Sequence, residues 1–152
     1  MTTLAKKIKI TGVGIHSGLP VNMVVKPSKK PGIFFHRTDI AGSDIIPALA
    51  QNVGETKMRN TTIGCPAGAH VQTIEHLMAA LFLSGIDSAV IDIDGPETPI
   101  MDGSASEFIS KFMGNTTGKS QMAKIIVRRT VIVRARDVLR DLPKVVRFKL
   151  WV

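Results

Sequence analysis

Apolar and polar residues alternate along Lys7-Ile8-Lys9-Ile10, the period of a strand with one buried face. Gly12-Val13-Gly14-Ile15-His16-Ser17-Gly18 then interrupts the pattern with three glycines, which predicts a turn or a close backbone approach. Residues 21–25 and 32–35 predict two further strands, parted by the turn-rich Pro27-Ser28-Lys29-Lys30-Pro31. Residues 44–50 predict a short strand, and Pro47, which has no N–H to give a ladder, puts it at an edge. Residues 61–63 and 70–72 flank Gly64-Cys65-Pro66-Ala67-Gly68 and predict a hairpin.

The clearest helix follows. Thr73 is the expected N-cap, Ile74, Leu77, Met78 and Leu81 recur at i, i+3, i+4 and i+7, and Gly85 stands at the C′ position. Ala79, Ala80, Phe82 and Leu83 make the other side apolar too, so this helix is expected to be packed on more than one side. Residues 88–94 predict a strand, broken by Gly95-Pro96-Glu97-Thr98-Pro99. Ser104-Ala105-Ser106-Glu107 has the spacing of a capping box, with Phe108, Ile109, Phe112 and Met113 as the buried stripe behind it. Residues 125–127, 131–133 and 144–152 are β-like. The order of elements predicts an α+β fold: a two-layer sandwich in which a small, mostly antiparallel sheet carries two helices on one face. Leu77, Leu81, Ile91, Phe108 and Phe112 are the expected core.

Charge divides the chain. The net charge of +8 on 152 residues falls wholly in residues 119–152, because residues 1–118 carry 10 basic and 10 acidic residues. The expected organisation is a neutral domain, 1–118, and a basic, β-rich tail, 119–152. Nucleic-acid binding through that tail is disfavoured, since only Phe148 and Trp151 could stack on bases. The longest apolar stretch, residues 77–83, is far short of the about 20 residues a membrane helix needs. The lysines at 6, 7 and 9 alternate with apolar residues and do not lead into the apolar run of a secretory signal. A single cysteine, Cys65, excludes an internal disulfide and fits a cytoplasmic setting.

The pair Glu75-His76 occupies the first turn of the predicted helix. A neutral imidazole is a good zinc ligand, and a carboxylate beside it can act as general base on water. The same dipeptide also serves as a solvated first turn with a favourable acidic residue. His16 lies in the glycine-rich turn, His36 at a strand end where a surface position is expected, and His70 at the start of a hairpin strand. There is no His-x-x-x-His and no pair of cysteines, so spacing supplies one credible zinc ligand where about three are needed. Asp102-Gly103-Ser104 reads as a turn followed by a cap.

Five blocks in order carry a family resemblance: Thr11-Gly12-Val13-Gly14-Ile15-His16-Ser17-Gly18; Phe35-His36-Arg37-Thr38-Asp39; Val71-Gln72-Thr73-Ile74-Glu75-His76-Leu77-Met78-Ala79-Ala80-Leu81; Gly85-Ile86-Asp87; and Asp94-Gly95-Pro96-Glu97-Thr98-Pro99-Ile100-Met101-Asp102-Gly103-Ser104. Together they resemble the UDP-3-O-acyl-N-acetylglucosamine deacetylases, zinc hydrolases of the committed step of lipid A synthesis. The resemblance covers residues 4–118 well and 122–136 more weakly, and fades from about Asp137. It implies two similar α+β domains with the active site between them. It implies that His76 is a zinc ligand, that Glu75 is the general base, that His16 is substrate-proximal and that residues 56–62 form a loop near the zinc.

In the family the other two ligands, a His and an Asp in His-x-x-x-Asp spacing, come from the second domain, as do the histidine that protonates the leaving amine and a lysine that binds the diphosphate. No histidine follows His76 here. The resemblance therefore implies zinc-dependent deacetylation of UDP-3-O-acyl-N-acetylglucosamine in which this chain supplies the first-domain half of the site, with an incomplete zinc ligand set. The implied partners are the UDP-linked acylated amino sugar and a second-domain partner, or self-association through the tail. The alternative is a non-catalytic binding or assembly module derived from the family.

Overall fold

The computed structural model describes residues 1–54, 59–64 and 68–118, and the backbone of two short strands beyond them. The chain forms two compact units, Met1–Met122 and Ala123–Val152.

In chain order the first unit holds β1 (Thr2–Leu4), β2 (Ile8–Val13), β3 (Pro20–Pro27), β4 (Gly32–Arg37), β5 (Ile46–Pro47), a 3-10 turn (Ala50–Asn52), β6 (Ile63–Gly64), β7 (His70–Val71), α1 (Glu75–Leu83), β8 (Ser88–Ile93), α2 (Ser106–Phe112) and β9 (Thr116–Gly118). The main sheet has the order β2-β3-β8-β4-β5. All its pairings are antiparallel except β4 with β8, which the crossover carrying α1 joins in parallel. Alternation decides the faces. Ile10, Val21, Met23, Val25, Phe35, Ala89, Ile91 and Ile93 point to one side and are buried. The other side is polar: Lys26 Nζ lies 2.6 Å from Asp92 Oδ2, and His36 Nδ1 lies 3.4 Å from Asp92 Oδ1.

Both helices pack on the apolar face, where Leu77, Ala80, Leu81, Phe108 and Phe112 join a single core with the strand residues. All five core residues predicted from the sequence are at most 1% exposed. The fold is thus the α+β arrangement the pattern predicts. β1 and β9, threonine-rich and three residues each, pair antiparallel and were not visible in that pattern. The predicted edge strand shrinks to β5, with the 3-10 turn after it. Arg37, 5% exposed, grips Asp39 with Nε at 2.8 Å and Nη2 at 2.6 Å, and donates Nη1 to the His70 carbonyl at 2.7 Å. That fork ties the end of β4 to the β6–β7 hairpin.

Three local expectations are corrected. The N-cap of α1 is Ile74, in helical conformation and with no side-chain cap, because Thr73 turns its hydroxyl elsewhere. The capping box does not form. α2 starts at Ser106 behind Ala105; the Ser104 N–H that Glu107 would accept goes to Asp102 Oδ1 at 2.9 Å, and Ser104 Oγ accepts the Ser106 N–H at 3.0 Å instead of that of Glu107. Finally, α1 is covered on one side only among the described residues, since Phe82 and Leu83 are 64% and 67% exposed.

In the second unit, β10 (Ile132–Arg134) and β11 (Val145–Arg147) form an antiparallel ladder. The strand expected at 125–127 lies outside the described residues, as do Cys65 and the ends of the predicted strand at 144–152.

Candidate functional site

The chain leaves β7 and reaches α1 through one unusual residue. Gln72 bridges in parallel to Glu97, with its N–H on the Pro96 carbonyl at 2.8 Å and its C=O accepting the Thr98 N–H at 3.1 Å. Thr73 then adopts φ 58°, in the left-handed region that β-branched residues rarely enter. Such a conformation costs about 1–3 kcal/mol and persists only where its surroundings enforce it. Here they do: the Thr98 hydroxyl donates to the Thr73 carbonyl at 2.5 Å, and the Thr73 hydroxyl donates to Glu97 Oε1 at 2.7 Å. The tight turn lets helix α1 begin at once, with Glu75 and His76 as its first two residues.

Glu75 is half-buried, and its Oε2 accepts the backbone N–H of Thr61 at 3.0 Å. No hydrogen bond to Oε1 is found among the described residues, so one carboxylate oxygen is anchored and the other has no donor there. His76 is also half-buried. Its Nδ1 is buried and has no hydrogen-bond partner among the described residues. A buried ring nitrogen without a partner is costly unless a ligand or metal takes it. Asp102 lies in the field of His76. The Ser104 N–H and hydroxyl hold its carboxyl below the ordinary aspartate range, with a lesser contribution from the His76 ring. The loop resemblance assigned to 56–62 is described from Arg59 onward. Its Asn60 reaches the Thr73 hydroxyl at 3.5 Å, and Thr61 is the anchor of Glu75.

His16 stands in the loop after β2. Its side chain is exposed, but its N–H is shared between both oxygens of Glu97 at 3.1 Å, and the next N–H, from Ser17, reaches Oε2 at 2.8 Å. Glu97 is 1% exposed. Burial pushes its carboxyl up, but the donors from Ser17, Thr73 and His16 outweigh that and hold it below the ordinary glutamate value. The predicted close approaches fall at two glycines. A Cβ on Gly12 would come within 2.8 Å of Pro99 Cβ, and one on Gly14 would collide with Glu97 Oε2 and Ser17 Oγ.

The site residues expected from the sequence thus belong to two elements, the glycine loop and the start of α1, and Glu97 bonds to both. Glu97 itself is not among the sequence-based candidates. Its partners lie 24, 80 and 81 residues away, so no local spacing marks it, and its only signal was a place in the last resembling block. Zinc does not fit the described residues alone: one imidazole is available, and no group of three or more His, Cys, Asp or Glu side chains able to hold a metal occurs among them.

A family model described as LpxC, UDP-3-O-acyl N-acetylglycosamine deacetylase, matches residues 1–150, past the point near Asp137 where the motif resemblance fades. The chain is 43% identical over 140 residues to a UDP-3-O-acyl-N-acetylglucosamine deacetylase of Geotalea uraniireducens, 89% of this chain and 44% of that protein. It is 44% identical over 135 residues to one of Citrifermentans bemidjiense, and 41% identical over 136 residues to one of Shewanella piezotolerans; these cover 86% and 89% of this chain and 44% of each relative. The chain therefore spans less than half the length of the curated relatives it matches.

Proposed function

The chain belongs to the UDP-3-O-acyl N-acetylglycosamine deacetylase family, and from that premise we propose that it supplies the first-domain half of a zinc-dependent amidohydrolase site acting on UDP-3-O-acyl-N-acetylglucosamine in lipid A synthesis. Glu75 is the general base and takes a proton from the attacking water. His76 is one zinc ligand, and His16 lies beside the substrate. The remaining ligands come from residues outside the described set, in a second-domain half. Residues 1–118 are that first domain, and the basic segment 119–152 begins the second. The setting is cytoplasmic, in keeping with the single cysteine, Cys65.

The observation that carries this reading is the start of α1. Among the described residues, an anchored carboxylate whose second oxygen has no donor adjoins an imidazole whose buried Nδ1 has no partner. A solvated first turn would need neither. The test is acetate release from the acylated UDP-sugar by this chain mixed with a second-domain half of a relative, zinc added. Turnover that Glu75→Gln removes supports the reading. A complex that forms and binds zinc but releases no acetate would leave the chain a non-catalytic module.

A further inference from the structure

We propose that Glu97 is a positioning residue of this site, whose buried carboxylate sets the glycine loop bearing His16 against the strained turn that launches Glu75 and His76. The roles of those three residues rest on the proposed function; the tie itself does not.

Two elements must be held in register: α1 is packed into the core through Ile74, Leu77 and Leu81, whereas the loop tip is not fixed by packing. In the loop, residues 15–19 are all exposed, so no side chain there is buried to hold it. Besides its own turn bonds, Gly14 N–H to the Leu19 carbonyl and Gly18 N–H to the Gly14 carbonyl, both at 3.0 Å, its tip is fastened by the His16 and Ser17 amides on Glu97. At the other end, α1 starts without a side-chain cap and behind a left-handed threonine. Thr73 keeps its side chain in place through the hydrogen bond to Glu97. Bonds to an ionised acceptor are about twice as strong as neutral ones, and a carboxylate has acceptor sites for all of these donors. One side chain thus links the loop tip directly to the turn before the helix, and Gly14 leaves the space for it to do so.

Glu97→Gln keeps the shape and removes the charge. Either amide orientation sets an NH2 where a donor already points: the His16 and Ser17 amides at one position, His16 again and Thr73 at the other. Thr73→Val keeps the branched shape and removes the hydroxyl's bond to Glu97, along with the long 3.5 Å contact from Asn60. The measurement is amide hydrogen exchange and chemical shift by NMR on the 152-residue chain, alongside a thermal melt. In Glu97→Gln the His16 and Ser17 amides should exchange faster by about tenfold or more, the scale of one hydrogen bond to a charged group. The Thr61 amide and the His76 ring should shift, while β8 amides stay protected. Thr73→Val should move the His16 and Ser17 resonances although it lies far from them in sequence.

Uniform acceleration across the first unit in Glu97→Gln, together with silent loop resonances in Thr73→Val, would show a merely structural carboxylate and overturn the proposal. So would unchanged His16 and Ser17 amides. Should Glu97→Gln fail to fold, Thr73→Val decides alone. In the reconstituted enzyme Glu97→Gln should lower kcat by about tenfold or more with zinc content unchanged. Loop and helix resonances that respond as expected in a complex with no wild-type turnover would sink the proposed function and leave the tie standing.

Discussion

The backbone of Thr61 grips the start of α1 twice: its N–H donates to Glu75 Oε2 at 3.0 Å, and its C=O accepts the Ile74 N–H at 3.3 Å. A carboxylate held this way has its direction set by main chain, not by a mobile side chain, so it can face a water molecule with little reorganisation. In the reconstituted enzyme, Glu75→Gln should lower kcat by about 10²–10⁴-fold, the usual worth of a general base. Its melting point and zinc content should stay near wild type, since the amide oxygen can still accept from Thr61. Zinc loss equal to that of His76→Ala would assign Glu75 to the metal instead.

The core prediction needs no partner. Leu81 is 1% exposed and joins α1 to the strand layer. Leu81→Ala should cost about 2–5 kcal/mol in urea melts, from lost transfer energy and the cavity left behind. A loss under about half a kcal/mol, the range of surface changes, would mean that the helix is not docked as described.

What was legible follows from the range of the forces involved. Strand faces are written locally: Val21, Met23 and Val25 alternate with outward residues, and all three are buried. The α1 stripe is written in the same way, since Leu77 and Leu81 are one turn apart. β1 and β9 escaped because three-residue threonine strands carry no period. The cap of α1 departs from the local pattern for a nonlocal reason. Thr73 has the right side chain for an N-cap, but Glu97, 24 residues later, is an ionised acceptor and captures the hydroxyl. The dipeptide Glu75-His76 could be noticed from its spacing, whereas the anchor on Thr61 depends on the hairpin bringing residue 61 back to residue 75.

Gly14 should tolerate no side chain. Its Cβ would meet Glu97 Oε2 and Ser17 Oγ, so Gly14→Ala forces the clamp apart and should cost about 1–3 kcal/mol by overpacking. Gly42, with φ 72° and open space around it, is the contrast: Gly42→Ala should cost about 1–2 kcal/mol, from backbone conformation alone. Denaturant melts give both numbers, and His16 amide exchange should rise only in Gly14→Ala. Equal exchange in the two variants would argue against the crowding at Gly14.

Acid should loosen the first unit in a defined direction. Glu97 and Asp39 both have carboxyls held below their ordinary values of 4.5 and 3.8, the first by the Ser17, Thr73 and His16 donors against the opposing effect of burial, the second mainly by the Arg37 hydrogen bonds. A depressed folded-state value adds stability that is complete above the ordinary value and is lost as pH falls through the folded one. Unfolding free energy should therefore decline from about pH 5 downward. Glu97→Gln should flatten that decline more than Asp39→Asn, because Asp39 is partly exposed and screened. A wild-type acid slope retained in Glu97→Gln would show that its titration does not differ between the folded and unfolded chain.

Zinc affinity separates the half-site reading from a self-sufficient one. His76 offers one donor, and the described residues hold no cluster that would add two more. A single imidazole cannot outcompete water for the ion, since catalytic zinc takes about three protein ligands. Equilibrium dialysis of the 152-residue chain should therefore find binding weaker than micromolar at neutral pH. Adding the second-domain half should tighten it sharply, and His76→Ala should abolish that gain. Glu75→Gln should not, because a base that is not a ligand leaves the metal in place. Stoichiometric, sub-micromolar zinc on the chain alone, lost in His76→Ala, would mean that two chains or further residues complete the cage and that no second half is required to hold the metal.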